Sequence, residues 1–125
     1  MRDISTRQDI ENLIDEFYEK VIQDEKIGVF FTEIVQLDWN THIPVMYDFW
    51  ESLLFGKHSY QGNPMHTHNL LNRKKVLEVQ HFERWLDLWQ DTILENFSGE
   101  KADEAMMKAR NIAGIMKIKI ENSNR

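Results

Sequence analysis

The segment that decides the fold is DWNTHIPVMYDFWESLLFG, residues 38–56. Its large apolar residues recur at intervals of three and four, which is the spacing of one face of an α-helix. Asp38 is of a type that caps helix N-termini, and Gly56 is of a type that often follows a helix C-terminus. The pattern predicts one long helix that ends at Phe55 and buries a single broad stripe. The stripe consists of Trp39, His42, Ile43, Met46, Phe49, Trp50, Leu53 and Leu54.

Two residues of this helix limit its interpretation. His42 is the only ionisable side chain on the stripe. A core histidine bonded to a backbone carbonyl and a histidine that faces a ligand are both consistent with this position. Pro44 cannot donate the helical hydrogen bond, so we expect it in the first turn or at a slight kink.

Three more long helices are predicted on either side of this segment. Thr6 and Asp9 indicate a capped start for a helix over Arg7–Gln23, which carries Phe17 and Tyr18. Tyr18 could enter a pocket or lie at the edge of the core with its hydroxyl bonded to a backbone carbonyl. Further helices are predicted over Val79–Phe97 and Glu100–Ile120, a shorter one over Ile27–Val35, and a frayed tail over residues 121–125. With no strand alternation, the fold class is predicted to be all-α.

The composition restricts both the class of protein and its partners. The chain has 125 residues, of which 42% are hydrophobic, and this size predicts a single domain over residues 1–125. It has no apolar run long enough to span a membrane and no apolar signal segment, so we expect a cytoplasmic protein with no membrane role. A net charge of −6 argues against nucleic acid as a partner. The absence of cysteine excludes disulfides, zinc ribbons and iron held by thiolates.

A turn followed by two histidines lies between the long helices, in the segment YQGNPMHTH, residues 60–68. Pro64 suits the first position of a short helix, which would carry His66 and His68. Two residues apart on a helix is a rotation of about 200°, so the two imidazoles cannot face the same partner. This argues against a simple metal site on both. Spacing alone does not decide which of them faces inward, and paired histidines in a loop are often only solvated.

The order of motifs resembles the third group of truncated haemoglobins, over nearly the whole chain. The resemblance rests on Phe17-Tyr18, then Trp39-x-x-His42 and Asp48-Phe49-Trp50, then Tyr60-x-Gly62-Asn63-Pro64-x-x-x-His68, then His81-Phe82-x-Arg84-Trp85-Leu86. The paired glycines that other truncated-globin groups carry after their early helices are missing, which agrees with the third group. The resemblance implies a two-over-two helical sandwich.

The resemblance also implies a cofactor, haem b, and a role for particular residues. The iron ligand corresponds to His68, and not to His66 or His81. The distal tyrosine corresponds to Tyr18, and the histidine that faces the sixth coordination site corresponds to His42. The remaining pocket positions correspond to Phe17, Phe49, Trp50 and Trp85. Arg73 and Lys74, with Lys75 beside them, could bind the haem propionates or form a solvated charge run.

Two classes of function follow from this interpretation. The first is a haem protein that binds oxygen, carbon monoxide or nitric oxide. It could also convert them, as a nitric oxide dioxygenase or with peroxidase-like activity, and would then need an external reductase because the chain has no flavin or nicotinamide motif. The second is a haem-free interaction or sensor module with a globin-like fold. A Soret band in the purified protein would distinguish them.

Overall fold

The computed structural model describes residues 1–28, 39–57 and 79–123, with side chains described there except at 39, 79 and 119–123. Within these ranges the chain forms helices and no strand, which confirms the all-α prediction. None of these helices is long and apolar enough to span a lipid bilayer. The helices are α1 (Arg7–Gln23), α2 (Trp39–Phe55), α3 (Val79–Asn96) and α4 (Glu100–Ser123).

Local signals set most of these boundaries. Thr6 caps α1 through a reciprocal pair of bonds, in which its hydroxyl accepts from the Asp9 backbone N–H at 3.1 Å and the Asp9 carboxylate accepts from the Thr6 N–H at 3.1 Å. Gly56 follows α2 with a φ of 68°, a left-handed conformation that glycine adopts without steric penalty. The predicted starts and ends of α1 and α2 are therefore confirmed, apart from Asp38, which lies outside the described residues.

Two expectations need correction, and two more cannot be placed. Pro44 lies in the second turn of α2 and not in the first. The predicted frayed tail is wrong for residues 121–123, because α4 continues to Ser123. No glycine or proline occurs there to stop it. Most of the short helix expected over Ile27–Val35, and all of the one expected from Pro64, lie outside the described residues.

The core is built where α1 packs against both α2 and α3, and α3 packs against α4. Trp89 is 1% exposed, and its indole N–H donates to the Ala105 carbonyl of α4 at 3.1 Å. The inner face of α4 is made of small residues that let α3 approach closely, as the sequence predicted. The buried alanines on that face are Ala102, Ala105, Ala109 and Ala113.

The segment before α1, residues 1–6, caps the N-terminus of α4 through Asp3. The Asp3 carboxylate accepts from the backbone N–H groups of Lys101 and Ala102, both at 2.8 Å. Burial alone would raise the pKa of Asp3, but these N–H groups and that of Ile4 hold it below its usual range. Asp3 therefore caps α4 from the other end of the chain.

Candidate functional site

Tyr18 and His42 form a buried polar pair where α1 meets α2. The Tyr18 hydroxyl lies 3.1 Å from Nε2 of His42, and the two rings meet edge to face with their centroids 5.3 Å apart. Tyr18 is 8% exposed and His42 is half-buried. The structure thus joins two residues that the sequence could only name as separate candidates.

Burial fixes the protonation state of both partners. It raises the pKa of Tyr18, so the phenol keeps its proton at neutral pH. It lowers the pKa of His42, so the imidazole is neutral there. In one tautomer of His42 the phenol donates to Nε2, and in the other Nε2–H donates to the phenol oxygen. Only the second arrangement lets the phenol hydrogen point towards a different acceptor.

Phe17 connects this pair to α3. Its ring contacts Tyr18 with centroids 5.1 Å apart, and it meets Trp85 edge to face at 5.7 Å. The Phe17 side chain is 1% exposed, whereas Trp85 is half-buried. Phe17, Tyr18, His42 and Trp85 therefore lie in one aromatic cluster, with the polar atoms of Tyr18 and His42 at one side of it.

Ion pairs hold the three helices of this cluster in place. Arg84, next to Trp85, binds the Asp24 carboxylate at the end of α1 at 2.7 Å. Burial alone would raise the pKa of Asp24, but Arg84 and the N–H groups of Lys26 and Ile27 hold it below its usual range. At the other end of α1, the Arg7 guanidinium contacts Asp48 of α2 at 2.8 Å and Glu51 at 3.1 Å. The first ion pair fixes the α1–α3 packing and the second fixes the α1–α2 packing.

A small apolar cavity of about 20 Å³ opens beside Trp85, between α3 and α4. A space of this size holds about one molecule of the size of water, and its apolar lining favours an apolar one. The sequence did not single out this cavity. The lining residues had been assigned to the inner faces of their helices, and only their helical spacing could have indicated that they meet Trp85. They are Phe82, Ile112, Ala113 and Met116.

Phe49 and Trp50 lie on the core side of α2. Their rings are 5.5 Å apart, and Trp50 stacks on Trp89 at 4.5 Å between centroids. Trp50 is 3% exposed and Phe49 is half-buried. Trp89 in turn contacts Phe17 at 5.0 Å, so the two candidates of α2 join the cluster of Phe17 through the core.

The proximal side of the expected site lies outside the described residues. This applies to His68 and His66, and also to the run Arg73, Lys74 and Lys75. His81 is described and lies half-buried near the start of α3. The described residues of the site fit one face of a haem, because the aromatic cluster offers walls and Tyr18 and His42 offer a neutral polar pair. The sequence has no cysteine whose thiol would compete for iron.

Comparison with known proteins gives a consistent result. The family described as bacterial-like globin matches residues 2–118. Group 3 truncated haemoglobin ctb of Campylobacter jejuni is 27% identical over 110 residues, which are 86% of this chain and 84% of that protein. The crystal structure of group III truncated haemoglobin from Campylobacter jejuni superposes with a TM-score of 0.81 at 26% identity, and covers 96% of this chain and 95% of that one.

Proposed function

Since this chain belongs to the bacterial-like globin family, we propose that it is a haem protein that binds oxygen and other diatomic ligands at an iron held by His68. The observation that supports this proposal most is the Tyr18–His42 pair, which lies 3.1 Å apart at the edge of an aromatic cluster. A planar apolar macrocycle needs such walls, and a polar ligand needs such a pair. The truncated-globin fold predicted from the sequence is confirmed by the structural comparison.

The chain's own residues have separate roles in this proposal. His68 binds the iron, which supplies the open coordination site for a diatomic gas. Phe17, Phe49 and Trp50 form apolar walls. Arg73 and Lys74 bind the propionates as cations. The cofactor in this proposal is haem b, and the absence of cysteine from the sequence excludes a haem attached through thioether bonds. The site is in the cytoplasm, where a reductase can reach it.

Two donors would retain oxygen in the pocket. Bound oxygen carries partial negative charge, and the Tyr18 hydroxyl and the Trp85 indole N–H can donate to it in surroundings of low dielectric. Carbon monoxide carries less charge and gains less from them. A carrier must release its ligand, so a pocket with several donors favours reaction over delivery.

We therefore propose that the physiological task is redox chemistry of oxygen, nitric oxide or peroxide, with an external reductase that restores the reduced protein. Nitric oxide dioxygenation and peroxide reduction are both of this kind. Stopped-flow mixing of the oxygenated protein with nitric oxide tests this: we expect rapid formation of nitrate. Fast oxygen release combined with a slow reaction with nitric oxide would instead support transport.

Absorption spectra of three matched variants test the haem site itself. We expect His68→Ala to lose stable haem incorporation, and His66→Ala and His81→Ala to keep the spectrum of the reduced wild type. Each variant removes one imidazole, so a difference between their spectra depends only on which histidine was removed. A normal His68→Ala protein with a Soret band lost in His81→Ala would overturn the assignment. A wild-type protein without a Soret band would support the haem-free interaction or sensor module.

A further inference from the structure

Three tryptophan rings form a continuous stack through the core. Trp85 and Trp89 are nearly parallel, with an interplanar angle of 2° and centroids 6.3 Å apart. Trp89 continues onto Trp50 of α2 at 4.5 Å and 27°. Trp89 and Trp50 are 1% and 3% exposed, so the stack runs through protein and not through solvent. Core packing needs buried rings, but it does not need two successive stacked contacts between the most easily oxidised side chains.

The stack has one end at the ligand pocket. Trp85 contacts Phe17, whose ring touches Tyr18, and Trp85 also lines the small apolar cavity. Trp85 is half-buried, whereas the other two tryptophans are fully enclosed. Trp85 is therefore one point at which an oxidising equivalent formed in the pocket can enter the stack.

The other end lies at Tyr47 of α2, which is bonded to α1. Tyr47 precedes Trp50 by three residues, so the two positions lie about one helical turn apart on α2. Tyr47 is half-buried, and its hydroxyl donates to the Asp15 carboxylate of α1. Burial and then Asp15 raise the pKa of Tyr47 to about 12, so the phenol keeps its proton at neutral pH.

We propose that these rings form an aromatic relay that carries oxidising equivalents from the haem pocket to Tyr47, whose phenolic proton passes to Asp15. The proposal rests on the haem function proposed above, and it names hydrogen peroxide as the oxidant. The relay consists of Trp85, Trp89, Trp50 and Tyr47.

The electrons and protons balance as follows. Each peroxide takes up two electrons and two protons and leaves as two waters. The two electrons come one at a time through the relay from Tyr47, and the two protons come from solvent. Tyr47 loses its proton to Asp15 at the same time and becomes a neutral radical, while Asp15 becomes a carboxylic acid. A one-electron donor such as ascorbate then reduces Tyr47 from solvent, and Asp15 returns the proton.

The bond between Tyr47 and Asp15 has a physical advantage for oxidation at the surface. Oxidising a phenol without a proton acceptor produces a strongly acidic cation, whereas a hydrogen-bonded carboxylate removes the proton as the electron leaves. Tyr47 is half-exposed to donors that are too large to enter the pocket. The relay would therefore let peroxide be reduced by donors that never contact the haem.

The first test uses the haem-loaded ferric protein mixed with peroxide and frozen for electron paramagnetic resonance. We expect a tyrosyl radical signal that is lost in Tyr47→Phe and retained in the matched variants Tyr18→Phe and Tyr60→Phe, which remove the chain's other two tyrosines. Asp15→Asn should slow formation of the radical and remove its solvent deuterium isotope effect, which a structural role would not change. A signal lost only in Tyr18→Phe would overturn the proposal.

The second test needs no haem and separates the two proposals. Azidyl radicals generated by pulse radiolysis oxidise tryptophan, and later transfer to tyrosine is followed by the change in absorption. In the haem-free full chain we expect the tyrosyl band to grow as the tryptophanyl band decays. Trp89→Phe should lose this growth and Trp39→Phe should keep it, with circular dichroism to confirm that both are folded. A chain that binds no haem but shows this transfer would contradict the proposed function alone. A haem-loaded protein without transfer in either test would contradict the relay alone.

Discussion

Replacing Gly99 by alanine should lower the free energy of unfolding by about 1.5–5 kcal/mol, because this glycine lies against the carboxylate that caps α4. A Cβ at position 99 would come within 2.6 Å of the Asp3 Cγ and 2.7 Å of the Asp3 Cβ. The residue also has a φ of 143°, which L side chains rarely adopt. The substitution therefore strains the backbone and displaces the cap together.

The magnitude follows from these two contributions. Backbone strain at such a φ costs about 1–3 kcal/mol. Displacing Asp3 removes the acceptor of the Lys101 and Ala102 N–H groups, each bonded at 2.8 Å. Losing a helix cap costs about 0.5–2 kcal/mol. For a chain of 125 residues, the expected fall in melting temperature is about 3–5 °C per kcal/mol.

Guanidinium unfolding followed by far-ultraviolet circular dichroism, at matched haem content, measures the effect. Gly114→Ala is the control, because Gly114 lies inside α4 and no heavy atom of the described residues comes within 4 Å of the Cβ that alanine would add. It should raise stability by about 0.5–1 kcal/mol, as alanine replaces glycine in a helix. In an Asp3→Ala background, Gly99→Ala should cost less, because no cap is left to displace.

Two results would refute this reasoning. The first is a Gly99→Ala protein as stable as the wild type, which would mean that the close approach to Asp3 relaxes without penalty. The second is an equal cost of Gly99→Ala with and without the Asp3 carboxylate. That result would assign the whole effect to backbone strain and none to the cap.

Three further outcomes are expected. Tyr18→Phe should speed oxygen dissociation roughly tenfold or more, since a donor to a partly charged ligand contributes about 1.5–3 kcal/mol. It should change carbon monoxide dissociation less. Flash photolysis that gives the same oxygen dissociation rate for the variant and the wild type would contradict this. Arg2 holds the pKa of Asp9 well below its usual range, against the effect of burial. Asp9→Asn should therefore destabilise the protein at pH 7, but progressively less as the pH falls below about 4, which unfolding titrations at each pH would measure. A difference in unfolding free energy between variant and wild type that does not change with pH would contradict this. Arg84→Ala leaves the Asp24 carboxylate without its cation and should lower the unfolding free energy by about 1–3 kcal/mol. An unchanged unfolding free energy would show that backbone N–H groups alone satisfy Asp24.

Local chemistry explains why much of the fold could be predicted. The capping pair of Thr6 and Asp9 spans four residues, and the same four residues fix the start of α1. Gly56 ends α2 through its own backbone conformation. These signals act within one helical turn, so they can be read from the sequence without a tertiary structure.

The site could be predicted only in part, because its contacts join distant residues. Tyr18 and His42 are 24 residues apart, and nothing local indicates that they bond to each other. Tyr47 and Asp15, 32 residues apart, were not predicted to meet. The role of His68 came from the family resemblance alone, since spacing did not choose between it and His66. That role remains a prediction.

The bond from Asp3 to the start of α4 also affects the order in which the protein can fold during synthesis. Asp3 leaves the ribosome early, but Lys101 follows it by 98 residues. Until then α4 has no cap, and the inner faces of α1 and α3 lack the helix that covers part of them. Closing so long a loop has an entropic cost that only the complete chain can offset. The nascent protein should therefore expose its tryptophan-rich core until α4 has been synthesised, and it would depend on chaperones or early haem binding during that interval.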